Sequence, residues 1–416
     1  MRQTEQPVAA QHDVDSLDGT ARPAWLEGDR VAAVEAAEPA PFAASEFAYR
    51  LAAVRARMER AGADAIVVFR PSSVEYLCGY HTAETIPQPL LVTGSDIVLL
   101  VPDFEVGRAL ATCRTPKVRF FRYAGAHRAL SAIAAAVARE MPNGGRVAVE
   151  LGPAGTPPRF VEMLRDSDVR VVDGDHLVER VRLVLSSAEV SCVEQAALHT
   201  ERGVDAAVRA AAEPDATDSS VTAAVTEALL READSSSAWY TAVATGRRAG
   251  IPHSTAAGVA LSPETTFVEF AGTRHRYHAP VMRTLYREGP SALVEGLAGF
   301  ARTALAAVLE TAKPGVPCSE VAARALEALG PLPHGVVFHQ LFGYPVGLAH
   351  PPHWMDGAPF SITADNPEPL LEGMTFHMPG SFRAFGQAGV GLSHTFVVER
   401  AGARVLTHGK ADLIRV

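Results

Sequence analysis

The sequence predicts two domains of different class: an α/β domain over residues 46–182 and an α+β domain over residues 183–416, the second built from two halves that repeat each other. Three observations lead there. At 416 residues the chain exceeds what one ordinary hydrophobic core organises. Up to about residue 180, short apolar runs alternate with helical stretches, as strand–helix–strand units do. Beyond residue 187, two stretches offset by one hundred residues match at seven positions.

Residues 1–45 are polar, rich in Ala, Pro, Glu and Asp, and keep no period, which predicts a disordered or docked extension. FAYRLAAVRARMERAG, from Phe47, places Leu51, Val54 and Met58 on one helical stripe, and Gly62 supplies a C-cap. ADAIVVF is a buried strand, and PLLVTG, DIVLLVP, VRFFRY, RVAVEL and DVRVVDG are further strands, with HRALSAIAAAVAREM a helix among them. A long amphipathic helix starts near Ser187. EPDATDSSVTAAVTEALL, from Glu213, then matches KPGVPCSEVAARALEALG, from Lys313, at Pro214/Pro314, Ser219/Ser319, Val221/Val321, Ala223/Ala323, Glu227/Glu327, Ala228/Ala328 and Leu229/Leu329. Each copy follows a long helix and opens a second, with Ser219 or Ser319 expected as N-cap. Two helix–helix–strand halves would enclose a cleft, a natural ligand site.

Composition excludes several functions. Apolar residues at 48% and charged residues at 20% describe a soluble globular chain. A net charge of −9 argues against nucleic acid or a membrane surface as partner, since nothing would neutralise phosphates. No apolar run is expected to reach the ~20 residues of a membrane helix, and the N-terminus lacks the charged start and apolar core of a signal peptide. Cys78, Cys113, Cys192 and Cys318 are scattered with no CxxC, so neither a disulfide framework nor a zinc–thiolate site is expected, and the compartment reads as cytoplasmic.

Six strings, in order, carry a family resemblance: PSSVEYLCGY (Pro71–Tyr80), IPHS with His253, VEFAGTRHRYHAPVMRT, FGYPVGLAHPPHW, LLEGMTFHMPG and GVGLSHTFVV. Together with the duplicated architecture they resemble the pita-bread superfamily of creatinase, prolidase and methionine aminopeptidase, from about residue 47 to the C-terminus. The resemblance implies an α/β N-terminal domain followed by an α+β pita-bread domain with pseudo-twofold duplicated halves. RYHAP, GYPVG, PPHW and GMTFHMP look most like ectoine hydrolase. This chain departs from that group at His353 and Ser393, where the group carries acidic residues.

Metallopeptidases of the superfamily hold their ions with two aspartates, a histidine and two glutamates. By the resemblance these positions fall on Glu269, Pro280, Tyr344, at or next to Pro379, and Ser393. Hard divalent ions need several anionic oxygens, or imidazole with carboxylate. One carboxylate of five does not supply that, so no metal and no other cofactor is expected. Creatinase is the family's precedent for C–N hydrolysis in the same cleft without metal. The pairs His275/His278 and His350/His353 have HxxH spacing, but the first lies in an expected strand or hairpin and the second spans Pro351–Pro352, so neither pair shares a helix face.

Without a metal to lower the pKa of water, hydrolysis needs another base. His253, where the family places a catalytic or substrate-contacting histidine, is the first candidate, because imidazole titrates near working pH. Glu269, among apolar neighbours, is the second: it orients His253, receives a cationic group such as an amidinium, or pairs with Arg283. Arg283 is that partner or an anchor for a substrate carboxylate. Tyr277 and His278 alternate across a strand, and the resemblance keeps both as substrate contacts. Tyr344 is placed to donate into the vacated metal space, or to pack beside Phe342. His377 and His394 lie on the last strands, and His350, His353, Trp354 and Asp356 form a loop expected to line the mouth, with Trp354 able to stack on a planar ring. Tyr76, Tyr80 and His81, by resemblance to creatinase-like dimers, reach the partner's cleft. The expected function is therefore a homodimeric, metal-independent hydrolase of a non-peptide C–N bond in a small polar molecule: a cyclic amidine, lactam or guanidino compound. The alternatives are a non-hydrolytic enzyme of specialised metabolism (cyclisation, elimination or isomerisation) and a binding protein on a dead peptidase fold.

Overall fold

The computed structural model describes residues 13–27, 29–114, 117–141, 144–152, 155–356 and 360–416. Two compact units divide after Val181. The expected 1–45 extension lies partly outside the described residues. Within them, Asp13–Ser16 docks as an edge strand beside Lys117–Phe121.

The N-terminal unit is a seven-stranded sheet in the order Asp13–Ser16, Lys117–Phe121, Ile97–Pro102, Leu90–Thr93, Ala65–Val68, Arg146–Val149, Arg170–Asp173. Only the Leu90–Thr93 strand runs antiparallel to its neighbours. Ala65–Val68 is buried throughout, as a strand covered on both faces must be. The Ala44–Ala61 helix ends at Gly62 in the left-handed conformation (φ 66°) with its N–H on Glu59 and Met58 carbonyls. Its buried stripe is Phe47, Arg50, Val54 and Met58, with Leu51 only half-buried. Pro71–Cys78 is a helix.

The C-terminal unit repeats one plan twice. In its first half the helices Ser187–Ala212 and Asp218–Leu230 back a sheet ordered Leu413–Arg415, Tyr277–Tyr286, Thr266–Arg274, Ala242–Thr245. In its second half Ala292–Thr311 and Cys318–Leu329 back Val336–Val337, Thr375–Ala384, Ala388–Glu399 and Gly402–Val405, with Tyr344–Pro345 also on Thr375–Ala384. Ser186 opens the long helix through a capping box with Glu189. The expected caps Ser219 and Ser319 are corrected: both sit one residue inside their helices, Thr217 caps the first by a capping box with Ser220, and Pro317 precedes the second. Asp218, fully buried, instead takes backbone N–H groups of Ala257 and Val259 and the Arg248 guanidinium.

The expectation of no membrane-length apolar run is also corrected. Ala292–Thr311 is long and apolar enough to cross a membrane, because its inner face is core: Val294, Leu297, Ala301, Leu305 and Val308 pack against Phe376, Phe382 and Phe396. All four cysteines are buried and none forms a disulfide.

Candidate active site

Strand register decides what each side chain of the C-terminal unit faces. Glu269 pairs with Met282 and Ala271 with Pro280. With a period of two, Phe267, Glu269, Ala271, His278, Pro280 and Met282 share one face, while Val268, Phe270, Val281 and Leu285 pack on the helices. In the second half Tyr344 pairs with His377 and Pro379 with Ser393. Those four share a face, and Phe376 and Met378 join the helical core. The two inner faces touch. The Met282 N–H donates to Ser393 Oγ at 2.6 Å, and Thr395 Oγ1 donates to the Pro280 carbonyl at 2.8 Å. Gly389 permits the approach nearby, since a Cβ there would lie 1.9 Å from the Ala249 carbonyl oxygen.

A continuous hydrogen-bonded chain fills the region of the expected metal positions. Trp354 Nε1–H donates to Tyr344 Oη at 2.8 Å, Tyr344 Oη lies 2.6 Å from His377 Nδ1, and His377 Nε2 lies 2.8 Å from Ser393 Oγ. Tyr344, His377 and Ser393 are all buried. Burial pulls the His377 pKa well below the usual histidine range, helped by the charge of Arg283, so the ring is neutral. Burial and the Glu269 carboxylate push the Tyr344 phenol well up, so it stays protonated.

Glu269 is the acid of this face. It is half-buried and makes no hydrogen bond or ion pair among the described residues. Desolvation pushes its pKa up to about 7, against the opposing pull of Arg383. A carboxyl poised near neutrality in a cleft is a proton-transfer candidate on physical grounds.

An aromatic wall stands next to it. Trp239 and Tyr240, just before the strand that pairs with Glu269, stack at 4.5 Å. The Trp239 ring also meets His353 at 4.4 Å, His253 edge-on at 6.0 Å and Trp354 at 6.4 Å. Sequence reasoning missed Trp239. The adjacent pair Trp239–Tyr240, in a chain only 7% aromatic, was the available signal.

The expected site residues therefore separate. Glu269, Tyr344, His377, His353 and Trp354 come together. His253 lies at the exposed rim in a left-handed turn (φ 59°), its carbonyl held by Tyr240 Oη. Trp354 does not offer its face to a ring: it is 1% exposed and spends its N–H on Tyr344. His278 points to the cleft side but serves the backbone, accepting from Ala238 N–H at 2.9 Å with Nδ1 beside the Gly347 carbonyl, and burial lowers its pKa to about 4. Tyr277 lies on the helical face, donating to Glu189 Oε1 at 2.7 Å. Arg283 lies on that face too, so it neither pairs with Glu269 nor reaches the cleft. It donates to the carbonyls of Met282 and Ser393, and burial lowers its pKa to about 10. His394 pairs in register with Met378 on the core face and meets Thr407 Oγ1 at 3.2 Å. His350 is half-buried. Asp356 accepts from Arg182 at 2.9 Å. In the N-terminal unit Tyr76 is 1% exposed beneath the Arg50 guanidinium, Tyr80 Oη donates to Glu105, and His81 Nε2 meets Arg108 at 2.7 Å. Tyr76 and Tyr80 are thus committed to their own core rather than presented outward.

The donor set at the family's metal positions does not fit an ion pair. Pro280 and Pro379 have no side-chain donor, and Tyr344 and Ser393 are neutral groups engaged with His377. No cluster of three or more His, Cys, Asp or Glu suited to a metal occurs among the described residues. A hard cation would find one carboxylate, Glu269, where it needs several.

Both units match known family models. Residues 191–400 match the model of metallopeptidase family M24, and residues 50–184 that of the creatinase/prolidase N-terminal domain. An uncharacterized hydrolase/peptidase of Sinorhizobium fredii is 26% identical over 90% of this chain and 98% of its own length. The ectoine hydrolase of Halomonas elongata is 33% identical over 39% of this chain and 40% of its own. The crystal structure of dipeptidase PepE from Mycobacterium ulcerans superposes with a TM-score of 0.75 at 24% identity, covering 90% of this chain and 99% of that one, which speaks for the fold. With the duplicated cleft in place and its metal positions refilled, the chain belongs to metallopeptidase family M24.

Proposed function

We propose that this protein is a metal-independent hydrolase of a non-peptide C–N bond in a small polar molecule, with a cyclic amidine or guanidino compound the best fit. The observation that carries the reading is the cleft-facing Glu269: a carboxyl titrating near 7, with no protein partner among the described residues, beside the refilled metal positions. A cationic planar group suits both the carboxylate and the electron-rich faces of Trp239 and Tyr240. Glu269 takes a proton from water and later gives it to the departing nitrogen. Its pKa allows both directions near neutral pH, and such assistance is worth about 10² to 10⁴ in rate. His253, at the rim, is assigned to substrate entry or to a contact with the bound group. The match to an ectoine hydrolase supports the bond class, not ectoine itself.

The test is turnover of ectoine, creatine and related cyclic amidines by protein dialysed against a chelator, with metal content measured in parallel. Hydrolysis by metal-free protein is expected. Failure on every compound, or activity that appears only on adding zinc or manganese, overturns the reading. The pairing of a near-neutral carboxyl with a protonated phenol also suits proton exchange at carbon, so isomerised or eliminated products would favour the non-hydrolytic alternative. The proposed assembly is a homodimer, read out by analytical ultracentrifugation.

A further inference from the structure

The Trp354–Tyr344–His377–Ser393 chain, with the Met282 amide, carries five hydrogens for four bonds, so either tautomer of His377 leaves one hydroxyl hydrogen outside the chain. The indole of Trp354 can only donate, so Tyr344 Oη accepts there. Ser393 Oγ accepts from the Met282 N–H. His377 is neutral, so one of its ring nitrogens donates and the other accepts.

Suppose Nε2 carried the hydrogen. Ser393 Oγ would then accept twice, and its own hydrogen would have no acceptor. The residue is 0% exposed, and His377 Nε2 is the only acceptor its hydroxyl reaches among the described residues. A buried donor left unpaired costs about 1–3 kcal/mol. With the hydrogen on Nδ1, Ser393 donates to Nε2, Nδ1–H donates to Tyr344 Oη, and the spare hydrogen moves from Ser393 to Tyr344. Tyr344 Oη then accepts two N–H groups, and its own hydrogen finds no acceptor in the chain. Tyr344, 4% exposed, would bear the same cost unless that hydrogen turned toward the Glu269 carboxyl, its electrostatic neighbour; Ser393 has no such outlet among the described residues, and this asymmetry favours the Nδ1–H form.

We propose that Tyr344 presents its phenolic hydrogen to the substrate as the electrophile of the reaction, held in that orientation by Trp354 and by the Nδ1–H tautomer that Ser393 imposes on His377. The proposal rests on the hydrolytic reading above. In the step it describes, the oxygen of water bonds to the carbon of the C–N group and Glu269 takes the water proton. The π pair moves onto the carbon's double-bonded heteroatom, which receives the Tyr344 O–H hydrogen bond. As the C–N bond breaks, its pair leaves with nitrogen, which takes the proton from Glu269, and the double bond reforms. Tyr344 donates to the lone pair as it forms on that heteroatom and never loses its hydrogen, so its elevated pKa is no obstacle. His377, Ser393 and Trp354 are positioning residues.

Two measurements test this. The first needs no substrate: ¹⁵N NMR of histidine-labelled protein, with His377 assigned by loss of its signals in His377→Gln. The expected result is a protonated Nδ1 and a bare Nε2, and a protonated Nε2 overturns the proposal. The second uses a compound that the wild type hydrolyses. Tyr344→Phe keeps the ring and its packing, and its folding is checked by thermal melting. Its kcat should fall about 10²- to 10³-fold, the usual effect of removing one such donor, with KM changed less than about threefold. Ser393→Ala should shift the tautomer signal and lower kcat by a smaller factor. If Tyr344→Phe retains wild-type kcat while Glu269→Gln loses it, the role of Tyr344 fails and the hydrolytic reading stands. If no compound is hydrolysed, that reading fails and the tautomer still decides whether the phenolic hydrogen is free.

Discussion

Replacing Glu269 by Gln removes one titration and nothing else of comparable size, which makes its effect calculable. The carboxyl titrates at about 7 in the fold against an ordinary value of 4.5. The folded state therefore binds more protons than the unfolded state between those values, so stability falls as pH rises through the interval. At about 1.4 kcal/mol for each unit of displacement, ionising the buried carboxyl costs at most about 3 kcal/mol, and the open side of the cleft reduces this to somewhere above about 1 kcal/mol. In the wild type that loss begins near the ordinary glutamate value and is complete above the folded one. The Gln variant, uncharged throughout, does not show it. Urea unfolding followed by tryptophan fluorescence suits the measurement, because Trp239 and Trp354 both lie in the C-terminal unit. Near pH 5 the two proteins should be close in stability, and near pH 8 the variant should be the more stable by about 1–3 kcal/mol. A difference that stays flat over this range would mean that Glu269 ionises normally, and the assignment of a near-neutral acid to the cleft would be wrong.

Three further outcomes follow from the same structure. Trp239→Ala removes the centre of the aromatic wall and should raise KM for a cationic substrate about 5- to 30-fold, as loss of about 1–2 kcal/mol of cation–π contact predicts, with kcat little changed in steady-state assays. Phe270→Ala opens a void between the first sheet and its helices, where Phe270 is 1% exposed, and should cost about 3–5 kcal/mol in denaturant unfolding. In the N-terminal unit, burial and the neighbouring Glu179 hold the Glu150 pKa well above the usual carboxylate range. Its contribution is therefore present at acid pH and lost as pH rises, and Glu150→Gln should flatten the alkaline limb of the stability profile.

The layered plan of the C-terminal unit was legible because periodicity is local: the long helix begins at Ser187 as the sequence places it, and the second copy of the helix pair opens close to Ser319 although that residue does not cap it. The departure at Ser219 came from two hydroxyl-bearing choices two residues apart, and the reciprocal bonds of Thr217 with Ser220 decided it. The site was legible only in part. A period of two says that Tyr277 and His278 oppose each other, but it does not say which faces the cleft. Pairing of the two strands settles that, and it sends Tyr277 and Arg283 to the helices. Likewise His377 and His394, seventeen residues apart in the sequence, look equivalent until register separates them. Trp239 and Ser393 matter through what they touch, and no local pattern carries that.

Pro280 lies opposite Ala271 on the cleft face, and Thr395 holds its carbonyl. Aspartate there alone would set a second carboxylate near one that is already reluctant to ionise, with no cation to balance either. Histidine in place of Tyr344 would strand the indole of Trp354 and the ring of His377, and glutamate in place of Ser393 would push against the amide of Met282. Each change is costly unless the others accompany it. A metal-binding donor set at these positions would therefore need several simultaneous substitutions, because each present side chain is already bound into its neighbours' hydrogen bonds.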